Sequence, residues 1–378
     1  MNLLSINHSE VTLPGGVHST IVKLSGALIQ RGYTPSVLSV NPGGLQSEEY
    51  INGLRIVRLR SPVSRHLYGF SPSAFSYLTR YVEQIQPDVV HVHGYHTLFS
   101  LEVLSLLRNF NRPLVFSPHY GRESHNTLLG GALWGAYRPI GKSCFHIPDK
   151  VICASEYERE NVLRDFQACP EKIHVIPHGV DTIKRKKARK AGPNISLIYV
   201  GWFIELKGIQ FILKALKELN TELGANATLT LIGTGDLQEQ LKELARKLNV
   251  ADAVFWYPPL FGDALSKKLE EADILLLLSR SENFGIVVAE ALAAGVPCIV
   301  AQKAALREFS GEPGCYPVEY PPHIKDLARL IVRVFEEDVK VGPFSNKIQT
   351  WDTIAQRYDE LYTSLVARNR KRSHAIYV

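Results

Sequence analysis

With 378 residues, 45% of them hydrophobic and 21% charged, the chain has room for two domains with full cores and the balance of a globular enzyme. No apolar run approaches a membrane span, and Met1–Asn7 carries neither a basic leader nor a cleavage site, so a cytoplasmic location is expected. The net charge of +6 is concentrated in Lys184–Lys190 and in Arg368, Arg370, Lys371 and Arg372, leaving the remainder mildly acidic and arguing against a nucleic-acid-binding face.

In chain order, Asn2–Asn7 reads as a strand, followed by a helical pattern from Val17 to Arg31 that ends at Gly32. Thr34–Val40 and Arg55–Leu59 read as strands, Ser73–Ile85 as a helix, and Pro87–His93 as a short buried strand. His91 and His93 are expected to face opposite sides of that strand, with a structural role for at least one. A helix around Leu98–Arg108 and the strands Leu114–Ser117 and Lys150–Ala154 complete the first half. The pattern then restarts. Strands are expected at Ser196–Val200, Thr228–Ile232, Ala253–Trp256, Ile274–Leu278 and Pro297–Val300, with helices at Gly208–Leu219, Leu237–Leu248, Leu265–Glu271 and beyond Gly285. Such alternation with short connections predicts two parallel sheets, each covered by helices on both faces. The expected division is 1–182 and 193–349, both Rossmann-like and doubly wound and facing a cleft, with 350–378 a C-terminal helix returning to the first domain and ending in a basic tail. Cys144, Cys153, Cys169, Cys298 and Cys315 are an odd set with no Cys-x-x-Cys pair, read as buried free thiols rather than metal ligands or disulfides.

The most informative stretch is Ser279–Glu290. It follows the apolar run Ala272–Leu278 and leads into a helical pattern closed by Gly295. Glu282 and Glu290 therefore bracket a strand-to-helix turn containing Gly285, at the sheet edge where parallel α/β folds bind ligands. Eight helical residues would span about 12 Å, roughly the reach from a sugar across a diphosphate to a ribose. The N–H groups of the helix start would then welcome the diphosphate. Two further turns lie at the same kind of edge. Val200–Gly208 offers Gly201 for close approach and Lys207 as an ammonium for phosphate, and Leu231–Asp236 contains Gly233 and Gly235.

In this order the turns resemble the family 4 retaining glycosyltransferases of the GT-B fold. The likeness runs through nearly the whole chain. It includes Pro14-Gly15-Gly16-Val17, Asp88–His93, Ser117–Gly121, Asp149–Glu156 and Ile176–Asp181, before the Val200–Gly208 turn and the Glu-x7-Glu element. The resemblance implies that Glu290 binds the donor ribose and that Glu282 holds sugar hydroxyls and helps stabilise charge at the anomeric carbon. Phe284, Gly285 and Ile286 would offer backbone N–H groups to the donor, and Gly201 would let it approach. Lys207 would neutralise the leaving diphosphate, which stabilises the transition state. Gly15 and Gly16 would meet phosphates or acceptor, and His119 would face the sugar across the cleft.

The reaction so implied moves a sugar with retention from a UDP-, GDP- or ADP-sugar donor to a hydroxyl acceptor. That acceptor would be a lipid-linked glycan, a glycolipid or a polysaccharide precursor. No cofactor or metal is expected, and the chain contains no Asp-x-Asp. The basic segments suit peripheral contact with an anionic membrane at its inner face, where each Lys or Arg is worth about 1 kcal/mol. Against the family pattern, Trp202 replaces a common Arg, Leu206 a Glu, and the glycine near Tyr257 and the glycine pair after Val300 are missing. Trp cannot replace a bidentate charged donor. A sugar-nucleotide epimerase or phosphorylase of the same fold and a non-catalytic sugar-nucleotide-binding protein are the rival readings.

Overall fold

Runs such as Leu3–Ile6 and Leu114–Phe116 are buried on both sides, as strands of a parallel sheet sandwiched between helices must be. The computed structural model describes residues 1–12, 15–41, 45–60, 74–95, 97–121, 135, 139–183, 194–337 and 341–376. The chain divides into one unit of Met1–Gly179 with Trp351–Val378 and a second of Val180–Thr350. The basic run Lys184–Lys190 lies outside the described residues, as do Pro14 and Ser73.

The first unit runs β1 (Asn2–Asn7), α1 (Gly16–Ile29), β2 (Thr34–Asn41), β3 (Glu48–Ile51), β4 (Leu54–Arg60), α2 (Ala74–Ile85), β5 (Val89–His93) and α3 (Leu98–Leu107). It continues with β6 (Leu114–Ser117), α4 (Ser143–His146), β7 (Lys150–Cys153), α5 (Glu156–Phe166) and β8 (Ile173–Val175). The strands lie in the order β3-β4-β2-β1-β5-β6-β7-β8. All pairs are parallel except β3 with β4, a hairpin at the edge that departs from the expected all-parallel sheet.

The second unit runs β9 (Asn194–Val200), α6 (Ile209–Thr221), β10 (Asn226–Ile232), α7 (Gln238–Lys247), β11 (Val254–Tyr257) and α8 (Gly262–Glu271). Next come β12 (Ile274–Leu277), α9 (Ile286–Ala293), β13 (Cys298–Ala301), β14 (Cys315–Val318) and α10 (Ile324–Glu336). Its sheet is parallel throughout, in the order β11-β10-β9-β12-β13-β14. Both sheets are therefore doubly wound: the chain moves outward from β1 through β2, then returns to place β5 on the other side, and repeats this from β9 with β12. Each reversal opens a crevice at the carboxyl ends of the two central strands.

The last helix, α11 (Trp351–Ile376), belongs to the first unit. Trp351, Ile354, Ala355, Tyr358, Leu361, Tyr362 and Leu365 recur at helical spacing and pack with Leu3, Leu24, Leu28, Val89 and Val115. Four cysteines are buried and free, but Cys169 is exposed, correcting the expectation for that residue. No helix among the described residues is long and apolar enough to cross a membrane.

Candidate active site

The crevice of the second unit lies where β9 and β12 end. Beyond β9 the chain makes a 3-10 turn at Glu205–Lys207, closed by Gly208 with φ +72°. A Cβ on Gly208 would overlap the Leu278 carbonyl oxygen, so only glycine lets the two strand ends close up. The Arg280 N–H donates to the Leu206 carbonyl at 2.7 Å, and the single Ser279 hydroxyl proton is shared between the Ser281 carbonyl at 2.9 Å and the Leu206 carbonyl at 3.2 Å. These bonds hold Lys207 opposite Glu282. Their charged atoms meet at 2.5 Å (Nζ to Oε1), each side chain about one-sixth exposed. Thr234 ties in the third turn, its carbonyl accepting from the Phe203 N–H at 2.8 Å. Gly233 packs so tightly on the Gly201 carbonyl that a side chain there would collide with it.

Gly285, with φ +99°, is the N-cap of α9, and a Cβ would sit 2.7 Å from Leu306 Cδ2. Phe284 is buried edge-on against Phe309, with ring centroids 5.4 Å apart. The Ala305 N–H donates to the Glu282 carbonyl at 3.2 Å. Together these contacts fix the turn and point the first N–H groups of α9, at Ile286 and Val287, out of the helix end, where they have no intrahelical acceptor. One expectation needs correction. Glu282 is not helical, since α9 begins at Ile286, and only the step from Ile286 to Glu290 is helical, about 6 Å of rise. The turn supplies the rest of the separation. Glu290 is half-buried on α9.

Trp202, in the turn after β9, is 47% exposed, and the Tyr199 hydroxyl donates to its carbonyl at 2.9 Å. Its exposed indole takes the position where the resemblance to the family leads one to expect an arginine.

The other expected residues belong to the first unit. Gly15 is the N-cap of α1 and Gly16 its first residue, following β1. His119 follows β6, with φ +49°. Around it is a set of histidines that sequence reasoning undervalued. His91 and His93 do not face opposite sides: residues two apart on a strand share a face, and their rings lie 4.0 Å apart. His93 stacks on His119 at 5.6 Å and His119 on His178 at 6.0 Å. Burial makes the charged forms costly. It pushes His8 down to about 4, His91 to about 3 and His178 to about 4, and holds His93 and His119 well below the usual imidazole range. The set is thus neutral at pH 7, able to accept or donate hydrogen bonds but not to act as a standing cation.

Glu158 was also missed. It is fully buried on α5 and accepts the Tyr120 N–H at 2.6 Å and the Ala154 N–H at 2.7 Å. Burial raises its carboxyl to about 7 against those two bonds. No group of three metal-binding side chains occurs among the described residues.

Residues 14–184 match the model described as Glycosyltransferase Family 4, and residues 180–350 match that of Glycosyl transferases group 1. Among relatives, glycogen synthase of Mycobacterium tuberculosis is 27% identical over 348 residues, which is 85% of this chain and 81% of that protein. Among solved structures, sucrose-phosphate synthase from Thermosynechococcus elongatus superposes with a TM-score of 0.83 at 20% identity, covering 97% of this chain and all of the other. Anabaena HepE in complex with UDP superposes with a TM-score of 0.68 at 16% identity, over the full length of both.

Proposed function

Because the chain belongs to the family 4 glycosyltransferases of the GT-B fold, we propose that it moves a sugar, with retention and without a metal ion, from a nucleoside diphosphate sugar to a hydroxyl acceptor. The observation that carries this reading is the Lys207–Glu282 pair at the switch point of the second sheet. An ammonium has three donors, so Lys207 can serve Glu282 and a phosphate oxygen together. The N–H groups at the start of α9, which lack intrahelical acceptors, would add positive potential for the same diphosphate. As the bond from the anomeric carbon to the phosphate oxygen lengthens, negative charge grows on the diphosphate and positive charge on the sugar. Lys207 opposes the first and the Glu282 carboxylate the second, and both gain most in the transition state. Glu290, on α9, would accept the ribose hydroxyls. His119, neutral, would hold a sugar hydroxyl. Phe284, Gly285 and Ile286 would contribute backbone donors, Gly201 would let the donor approach, and Gly15 and Gly16 would meet phosphates or acceptor.

UDP in the HepE structure supports a nucleotide donor in this fold. For the acceptor we propose a lipid-linked glycan, a glycolipid or a polysaccharide precursor. The exposed Arg368, Arg370 and Lys371 near the end of α11 would favour an anionic surface. Equal co-sedimentation with neutral and anionic liposomes would remove that part.

One observation favours a second reading, a non-catalytic sugar-nucleotide binder: the exposed Trp202 where a cation is common. Melting temperature with UDP, GDP and ADP, each with and without chelator, addresses both readings. A ligand at about 100 times its Kd stabilises the fold by about 2.7 kcal/mol. A shift with one nucleotide despite chelator, followed by transfer from its sugar conjugates with the anomeric configuration kept, supports the proposal. A shift without transfer supports the binder, and no shift with any nucleotide rejects both.

A further inference from the structure

His119 occupies an unfavourable place for a histidine. Its φ of +49° is left-handed backbone in a non-glycine residue, which persists only where the surroundings impose it. Two sets of contacts do so. The first acts on the backbone. Glu158 reaches from α5 with one carboxylate oxygen on the Tyr120 N–H, at 2.6 Å, and the other on the Ala154 N–H, at 2.7 Å. The Tyr120 hydroxyl donates to Asp165, also on α5, at 2.8 Å. One helix therefore grips the residue after His119 at both its backbone and its side chain.

The second set acts on the ring. His93 Nδ1 lies 3.3 Å from His119 Nε2. Two neutral imidazoles sharing one hydrogen bond must be one donor and one acceptor, so the tautomer of His93 dictates that of His119. His93 is itself packed on His91, 4.0 Å away. Both nitrogens of His91 are engaged, Nδ1 with the Tyr362 hydroxyl at 2.7 Å and Nε2 with the Ser117 hydroxyl at 2.8 Å. The column thus ends on α11, at fully buried Tyr362.

We propose that His93 and Glu158 are positioning residues for His119, His93 setting the tautomer and plane of its ring and Glu158 the turn that carries it. This rests on the proposed role of His119 at the donor sugar, but its test does not depend on activity alone. The full chain, labelled with 15N in histidine, is compared as wild type, His93→Phe, His93→Asn and Glu158→Gln, with His119→Gln used to assign the ring. Phenylalanine keeps the stack and removes the nitrogen, asparagine returns a polar atom near Nδ1, and glutamine replaces one acceptor with an NH2.

The expected result is a change in the His119 ring shifts in His93→Phe and Glu158→Gln. With it, kcat should fall about 10-fold or more while donor KM and nucleotide Kd stay within about threefold, and His93→Asn should recover most of the loss. Unmoved His119 resonances, with kcat per folded molecule unchanged, overturn the proposal. So does a loss in which His93→Phe and His93→Asn fall equally and in step with melting temperature. Should His93→Phe not fold, Glu158→Gln and His93→Asn carry the comparison. If the wild type transfers no sugar, the functional reading fails while the ring resonances still decide this one.

Discussion

The two acids of the Glu-x7-Glu element sit in different surroundings, and their substitutions should separate accordingly. Glu282 is paired with Lys207 at 2.5 Å at a strand end, whereas Glu290 sits within a helix. Replacing Glu282 by Gln keeps the shape but removes a charge whose proposed use is greatest in the transition state. Turnover should fall by about 100-fold, a typical cost for one such group, while nucleotide affinity changes little. Steady-state kinetics with calorimetric titration of the nucleoside diphosphate measures both, and unchanged turnover would remove the role assigned to Glu282. Glu290→Ala should do the reverse. Losing a charged hydrogen-bond acceptor costs about 1.5–3 kcal/mol, about 10-fold to 150-fold in donor Kd. Both acids were legible in the sequence because a turn flanked by an apolar strand and a helix leaves few places for them. Lys207 was legible for the same reason, but its pairing was not: nothing in the order of residues says that two turns 75 positions apart are stitched by the Leu206 carbonyl.

At the scale of elements, the glycines allow a contrast that isolates steric contact from backbone strain. Gly208 and Gly262 both have positive φ, +72° and +54°. A Cβ on Gly262 meets nothing within 4 Å, whereas one on Gly208 would run into the Leu278 carbonyl. Gly262→Ala should therefore cost only the left-handed strain, about 1–2 kcal/mol. Gly208→Ala should cost clearly more and pull the β9 and β12 turns apart, lowering turnover as well. Denaturant unfolding of the two variants checks this, and equal losses would show that the close approach at Gly208 is unimportant. The same physics explains which elements could be read from the sequence. β1 and β6 are short apolar runs bounded by turn residues, and they stand at the expected limits, Asn2–Asn7 and Leu114–Ser117. α5 was hidden because its run of Glu and Arg masks the few apolar positions, Val162 and Phe166, that it buries. β3, β8 and β14 are edge strands or three to four residues long, and β14 contains a proline, so their pattern is too brief to register. The histidine column was misread through strand parity, although His91 and His93 stand two apart and so share a face.

For the molecule as a whole, acid should act unequally on its two units. His8, His91, His93, His119 and His178 all belong to the first unit, and burial lowers each below the ordinary imidazole value of 6.5. In the second unit His323 is the single histidine, and it is exposed. Where the folded pKa is depressed, the unfolded chain binds more protons between that pKa and 6.5, so stability is lost as the pH falls through this window. Each histidine contributes up to about 1.4 kcal/mol per pH unit there. Glu158 acts with the opposite sign. Its folded value of about 7 exceeds the ordinary 4.5, so the fold takes up its proton first and gains stability as the pH falls from 7 to 4.5. Glu158 and the partly buried Glu102, whose carboxyl burial also raises, offset part of what these histidines and His174, likewise lowered by burial, lose. The first unit should therefore unfold well before the second when the pH is lowered from 7.5 to 5, taking α11 with it because that helix is built into its core. Hydrogen exchange resolved by peptide at the two pH values is the direct measurement. Protection lost first in Met1–Gly179 and Trp351–Val378 is the expected result, and earlier loss in Val180–Thr350 would show that the histidine column is not what makes this protein sensitive to acid.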